Sequence, residues 1–216
     1  MGRTEIVRRI VATGVIPVIR APSADDALAA VEALLAGGLD VVELTMTVPS
    51  ALKVIEKVVE RHGHSTVVGA GTVLDAETAR ACMLAGAMFV VAPSLDIPTI
   101  RACRTHGVPV VPGALTPTEI VRAWRAGADL VKVFPCSAMG GASYIKALRA
   151  PLPQIELVPT GGVTAATVGD FIAAGAAAVG AGADLVDIAR LRRGDHAGLT
   201  ENARKYVAAI QQARKV

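Results

Sequence analysis

Aromatic residues are few in this 216-residue chain, with one Trp, two Tyr and three Phe. No block of five or more basic residues has aromatics between them, so a nucleic-acid partner is not expected. Cysteine is also scarce. Cys82, Cys103 and Cys136 are odd in number and lack CxxC spacing, which argues against a disulfide framework and a structural zinc site. Three reduced thiols are the expectation. No apolar run reaches the roughly 18 residues of a membrane span. The opening stretch MGRTEIVRRIVATGVIPVIR lacks the long apolar segment and small-residue cleavage site of a signal peptide. A cytoplasmic protein with no membrane partner is expected. His62 and His64 are close in sequence but share one polar turn, whereas metal ligands normally come from distinct elements with supporting partners, so no metal is assigned. The net charge of +3 decides little.

What the chain does have is aliphatic residues, at a length that fits a single domain over 1–216. Four segments resemble one another: LLAGGLDVVELT from 34, MLAGAMFVVAPS from 83, WRAGADLVKVFP from 124 and IAAGAAAVGAGA from 172. Each reads as a helix end closed by Ala-Gly, followed by a short strand buried on both faces. Between them lie four more candidate strands, GVIPVIR from 14, TVVGAG from 66, GVPVVPG from 107 and IELVPTGG from 155. Helical patterns separate these strands, and several open on a Ser, Asp or Thr cap with a Pro nearby. Eight alternating units predict an α/β fold, a (β/α)8 TIM barrel, with a flat doubly wound sheet as the alternative. An extra helix over residues 3–12 precedes the first strand, and TENARKYVAAIQQARKV forms the last helix.

In such a barrel the chemistry sits at the C-terminal ends of the strands. The polar residues there are Arg20, Glu43, Thr72, Lys132 and Thr160, with Pro93 and Pro112 among the small or apolar ends. Lys132 is the outlier. Five other lysines, at 53, 57, 146, 205 and 215, fall in predicted helices, whereas this one interrupts an apolar strand. Burial disfavours an ammonium, and a neutral amine can condense with a carbonyl to form an iminium. Glu43 is the inward carboxylate that could move protons beside it. A structural ion pair between the two is the plain alternative, as is pairing of Arg20 with Asp25 or Asp26. Overlaid on the Ala-Gly of their repeats, Glu43 lies seven residues past the Ala and Lys132 six. That offset puts them on opposite faces unless one turn holds an extra residue. The loops PTGGV and VGAGA match the place where barrels hold an anion on backbone amides.

In order, PVIR, VVELTMTVP, GAGTV, APSLD, VPGALTPTE, LVKVFP and VPTGGV resemble the class I aldolases that cleave 2-keto-3-deoxy-6-phosphogluconate (KDPG), also known as 4-hydroxy-2-oxoglutarate aldolases. The similarity runs from about residue 6 to 213. It implies a (β/α)8 barrel, a homotrimer, no cofactor or metal, and a small-molecule keto acid and aldehyde as reaction partners. By motif, Lys132 is the Schiff-base lysine, Glu43 the general acid/base, and Arg20 orients Glu43 or the substrate carboxylate. Thr72, Pro93, Phe134 and Thr160 line the keto-acid pocket, and Gly161, Gly162, Gly182 and Ala183 face the phosphate. Two departures stand out. Thr47 replaces the arginine found in one branch of the family, and Gly182-Ala183 replaces the Gly-Ser of phosphate-binding relatives. Losing a hydrogen bond to a charged group costs about 1.5 to 3 kcal/mol. A phosphosugar isomerase or epimerase with Glu43 as base, and a non-catalytic keto-acid-binding barrel, are the alternatives at this level.

Overall fold

The computed structural model describes residues 1–215. Helix α1 (Arg3–Thr13) is followed by β1 (Val15–Ile19), α2 (Ala24–Ala36), β2 (Val41–Thr45), α3 (Ala51–His62), β3 (Val67–Gly71), α4 (Ala76–Leu84), β4 (Phe89–Val91) and α5 (Ile97–Thr105). The second half runs β5 (Val110–Val111), β6 (Gly113–Ala114), α6 (Pro117–Arg125), β7 (Val131–Val133), a 3-10 turn (Cys136–Met139) and α7 (Ala142–Arg149). It ends with β8 (Leu157–Pro159), α8 (Val168–Ala173), β9 (Val179–Ala181), α9 (Ile188–Arg192) and α10 (His196–Ala213).

Every strand pairing is parallel, in keeping with strands buried on both faces. The ladder comes in two pieces rather than one uniform eight-stranded round. A six-stranded sheet has the order β5-β4-β3-β2-β1-β9, and a three-stranded sheet the order β6-β7-β8. The stretch GVPVVPG, expected as one strand, is divided into β5 and β6 at Pro112, which has no N–H to give to a ladder. On the other side the two sheets meet at a single bridge between Thr160 and Gly180. The architecture is a curled parallel sheet with helices packed on its outer face.

Helix starts follow their caps. Ser23, Asp75, Asp96 and Thr116 each accept from a backbone N–H three residues on, and Thr116 with Glu119 completes a capping box. Ser50 is an exception. It stands before α3 in a left-handed conformation (φ +56°) instead of the extended one of a capping residue, and its side chain caps nothing. Helix α10 begins before the expected Thr200, since Asp195 caps it through the Gly198 N–H.

The four repeat turns each contain a left-handed glycine: Gly38, Gly86, Gly127 and Gly175, at φ +90°, +94°, +101° and +94°. In the first repeat the helix runs on to Ala36 and Gly37 is still right-handed, whereas in the third the helix stops at Arg125 and Ala126 is the cap. That one-residue difference removes the offset seen in the sequence. Counted from the left-handed glycine, Glu43 and Lys132 both stand five residues on, so the side-chain alternation sends both to the same face.

Two apolar clusters separate inside from outside. The larger one joins the outward faces of the strands to the helices. The smaller gathers Ile16, Val41, Val67, Phe89, Val91, Val111, Leu130 and Val158 from the strands with Ile6 and Ile10 of α1. Helix α1 packs on β1, β2 and β3, closing the end of the curl where the strands begin. Two residues further along the same alternation the interior stops being apolar: Val41 gives way to Glu43, Leu130 to Lys132 and Val158 to Thr160.

Candidate active site

The cavity at the C-terminal ends of the strands has a volume of about 380 Å³. All the sequence-derived site residues except Glu43 line it: Arg20, Thr72, Pro93, Lys132, Phe134, Thr160, Gly161, Gly162, Gly182 and Ala183. Glu43 lies behind them, only 2% exposed. Five lining residues were not foreseen, namely Val18, Val163, Thr164, Gly180 and Asp184. Val18 and Gly180 could have been found by extending the inward alternation of β1 and β9. The other three sit on loops, where no periodicity points to a side chain's direction.

Lys132 is centred in its sheet, opposite Gly113 on β6 and Val158 on β8. It is 7% exposed, so the amine reaches the cavity while its stem stays buried. Its Nζ lies 5.1 Å from the centroid of the Phe134 ring, within cation–π range. An aromatic face there partly offsets the desolvation of a cation, and it serves an iminium nitrogen as well as an ammonium. The neighbouring Cys136 is no competitor, since burial pushes its thiol up to about 11.

Glu43 is paired between Val18 of β1 and Gly69 of β3. Its Oε1 is buried with no hydrogen-bond partner. The contact ion pairs among the described residues include neither Glu43, Lys132 nor Arg20, so the structural ion-pair alternatives do not hold. Burial pushes the Glu43 carboxyl above its ordinary value, and the charges of Lys132 and then Arg20 pull it part of the way back. A carboxyl raised in this way holds a proton more readily than an exposed one and is suited to act as acid or base. Arg20 is solvent-exposed at the end of β1 and free to meet an anionic ligand.

Strand glycines make the room. A methyl group at Gly69 would overlap the Phe89 ring, one at Gly113 the Pro93 backbone, one at Gly180 the Thr160 side chain, and one at Gly71 the Glu43 carboxyl. Glycine weakens a strand and often marks a close approach, and here each cedes its place to a neighbour's side chain or backbone. Gly71→Ala is therefore expected to displace the carboxyl while leaving the fold in place. Because misplacement by about 1 Å can cost on the order of 10²-fold, the turnover of any reaction that uses this carboxyl should fall by about that much with little change in ligand binding. An unchanged kcat would show that the carboxyl does not act from this position.

Loop backbones complete the rim. Thr72 adopts φ +58°, an outlier for a β-branched residue, and such strained positions cluster at ligand sites. Gly161 and Gly162, at φ +92° and +76°, form a turn that only glycine enters freely. It is held against the loop after β7 by Cys136 N–H to Thr160 O at 2.9 Å and Ser137 N–H to Gly161 O at 3.2 Å. The arrangement thus combines a recessed primary amine, an unpartnered carboxyl beside it, one exposed guanidinium and a glycine-lined wall.

Comparison with known proteins agrees with this geometry. The family model described as KDPG and KHG aldolase matches residues 6–202. The 2-dehydro-3-deoxy-6-phosphogalactonate aldolase of Escherichia coli (strain K12) is 39% identical over 171 residues, which is 79% of this chain and 83% of that one. The 2-dehydro-3-deoxy-phosphogluconate aldolase of Pseudomonas aeruginosa is 34% identical over 201 residues, or 93% and 91% of the two chains. Among solved structures, the KDPG aldolase from Legionella pneumophila, with pyruvate captured at low pH as a covalent carbinolamine intermediate, matches with a TM-score of 0.85 at 30% identity, covering 92% of this chain and 96% of that one. With the family model and these relatives spanning both the amine-bearing strand and the glycine loops, the chain belongs to the KDPG and KHG aldolase family.

Proposed function

We propose that the protein is a class I aldolase that cleaves a 2-keto-3-deoxy-6-phospho sugar acid to pyruvate and glyceraldehyde 3-phosphate, with 4-hydroxy-2-oxoglutarate, giving pyruvate and glyoxylate, as a second substrate. The observation that carries the reading is a lysine 7% exposed at the cavity floor, with a buried, unpartnered carboxyl oxygen behind it. The reading includes a closed (β/α)8 barrel formed by a single domain over 1–216, assembled as a homotrimer in the cytoplasm. For closure, the Thr160–Gly180 bridge on one side and the continuity of β5 and β6 on the other are the support.

In the proposed reaction the neutral amine of Lys132 adds to the C2 ketone, and loss of water from the carbinolamine gives an iminium. Glu43, as carboxylate, takes the proton of the C4 hydroxyl. The C3–C4 bond then breaks, its electron pair passing through C3 to the iminium nitrogen, and the aldehyde leaves. The enamine regains a proton at C3 from Glu43, and water hydrolyses the resulting iminium to pyruvate and free Lys132. Arg20 takes the substrate carboxylate or steadies Glu43. Thr72, Pro93, Phe134 and Thr160 shape the pyruvyl end, and amides of Gly161, Gly162, Gly182 and Ala183 meet the phosphate. Deprotonation of Lys132 before attack removes the stronger of the two charges that draw the Glu43 carboxyl downward, and the iminium restores a positive charge at the same nitrogen, which favours the carboxylate form that then takes the C4 hydroxyl proton.

The test is intact mass after incubation with pyruvate and borohydride, followed by peptide mapping. One reduced pyruvate adduct on the peptide carrying Lys132 is expected. A folded protein that gives no adduct would move the function to an isomerase or a keto-acid sensor on the same scaffold.

A further inference from the structure

Among the unforeseen lining residues, Asp184 is the one charged group, and it stands in the same wall as Gly161, Gly162, Gly182 and Ala183. A carboxylate beside an anion site would repel the ligand, so its presence needs a reason. Its hydrogen bonds supply one. Oδ2 accepts from the Ala165 N–H at 3.0 Å and from the Tyr206 hydroxyl at 2.7 Å. Ala165 belongs to the loop after β8, Asp184 to the loop after β9, and Tyr206 to α10, so one oxygen joins three elements. Tyr206 is fully buried, and its hydroxyl also lies 3.2 Å from the Val163 carbonyl. Asn202, one turn earlier on the same helix, donates to the Asp184 carbonyl at 2.5 Å.

Burial, and then the Asp184 carboxylate, push the Tyr206 hydroxyl well above its ordinary pKa, so it stays protonated and can donate. With both donors on Oδ2, the loops 161–165 and 182–184 are tied to each other and to a rigid helix behind them. Neither residue contacts Lys132 or Glu43 through any hydrogen bond among the described residues.

We propose that Asp184 and Tyr206 are a positioning pair that sets the spacing of the two glycine loops around the anionic, distal end of the substrate. This rests on the aldolase reading. The pair therefore governs how the phosphate end is held and leaves the chemistry at C2 untouched. Its signature is a change in KM confined to phosphorylated substrate.

Steady-state kinetics would be measured with 2-keto-3-deoxy-6-phosphogluconate and with the same acid lacking phosphate, for the wild type and for Tyr206→Phe, Asp184→Ala and Asp184→Asn. Tyr206→Phe and Asp184→Ala are expected to raise KM for the phosphorylated acid about tenfold, the scale of one lost charge-assisted hydrogen bond. KM for the other acid should stay within about twofold, because no such bond acts on it. Asp184→Asn keeps an acceptor oxygen and should retain the wild-type ratio. Equal shifts with both substrates, or no shift with either, overturn the proposal. Tyr206→Phe loses a single oxygen, so it carries the test if Asp184→Ala fails to fold. A wild type without a borohydride-trapped adduct would sink the aldolase reading itself. In that event weaker binding of inorganic phosphate by Tyr206→Phe upholds the pair, and equal binding overturns it.

Discussion

Lys132→Ala is expected to lower aldol cleavage by more than about 10⁴-fold, as the loss of a covalent nucleophile does in other enzymes. Nothing nearby replaces it. The five other lysines occupy helices α3, α7 and α10 or the segment after α10, and the Cys136 thiol is held protonated by burial. Unfolding would not explain the loss, because the substitution removes a buried cation and its desolvation cost. Glu43 then loses the charge that lowers its pKa most and takes up a proton instead of standing as an isolated buried anion. Turnover of KDPG, intact mass after pyruvate and borohydride, and a thermal melt decide the matter together. Activity above about 1% of wild type in a folded variant would exclude Lys132 as the nucleophile, since no bypass reaches that level without the covalent step.

Glu43→Gln is expected to lower kcat by about 10² to 10⁴-fold, the range of general acid–base catalysis, while Lys132 still traps pyruvate more slowly. It should also change the pH dependence of stability. The folded-state pKa of Glu43 lies above the unfolded value, so folding favours the protonated form. The stabilisation this carries is fully present below the ordinary carboxylate value and is lost as pH rises through the raised value. Glutamine has no such transition. The Tm of Glu43→Gln, compared with wild type, should therefore shift in the variant's favour from acid to neutral pH. Melting curves that run parallel across that span would show that Glu43 does not titrate as a buried carboxyl. Greater stability at neutral pH together with lost activity would mean that the site tolerates an unfavourable charge because the reaction needs it.

Much of this was legible in the residues themselves. The repeat of Ala-Gly turns announced the helix-to-strand junctions because few residues other than glycine readily enter the left-handed conformation found at Gly38, Gly86, Gly127 and Gly175. Lys132 was conspicuous because an ammonium inside a strand buried on both faces is costly. Caps at Ser23, Asp75, Asp96 and Thr116 followed from local hydrogen bonding, which involves residues three apart. Ser50 did not, because it stands in the left-handed conformation instead of the extended one of a capping residue.

Features that depend on residues distant in sequence were not legible. Whether Glu43 and Lys132 share a face hinged on one extra residue in the first repeat turn, and both stand on the interior face because Gly37 stays right-handed while Gly38 turns. The break at Pro112 and the single bridge between Thr160 and Gly180 depend on how the ladders meet. The partners of Gly69, Gly71, Gly113 and Gly180 emerge only when neighbouring strands are in register, and Asp184 acquires its role from Ala165 and Tyr206, nineteen and twenty-two residues away. By itself the sequence determined the alternation of elements, the buried lysine and the family, all of which rest on local conformational preference and side-chain chemistry. Only the tertiary structure decided the face, the depth and the partners of each group, because those are set by strand register and by contacts between segments that no periodicity encodes.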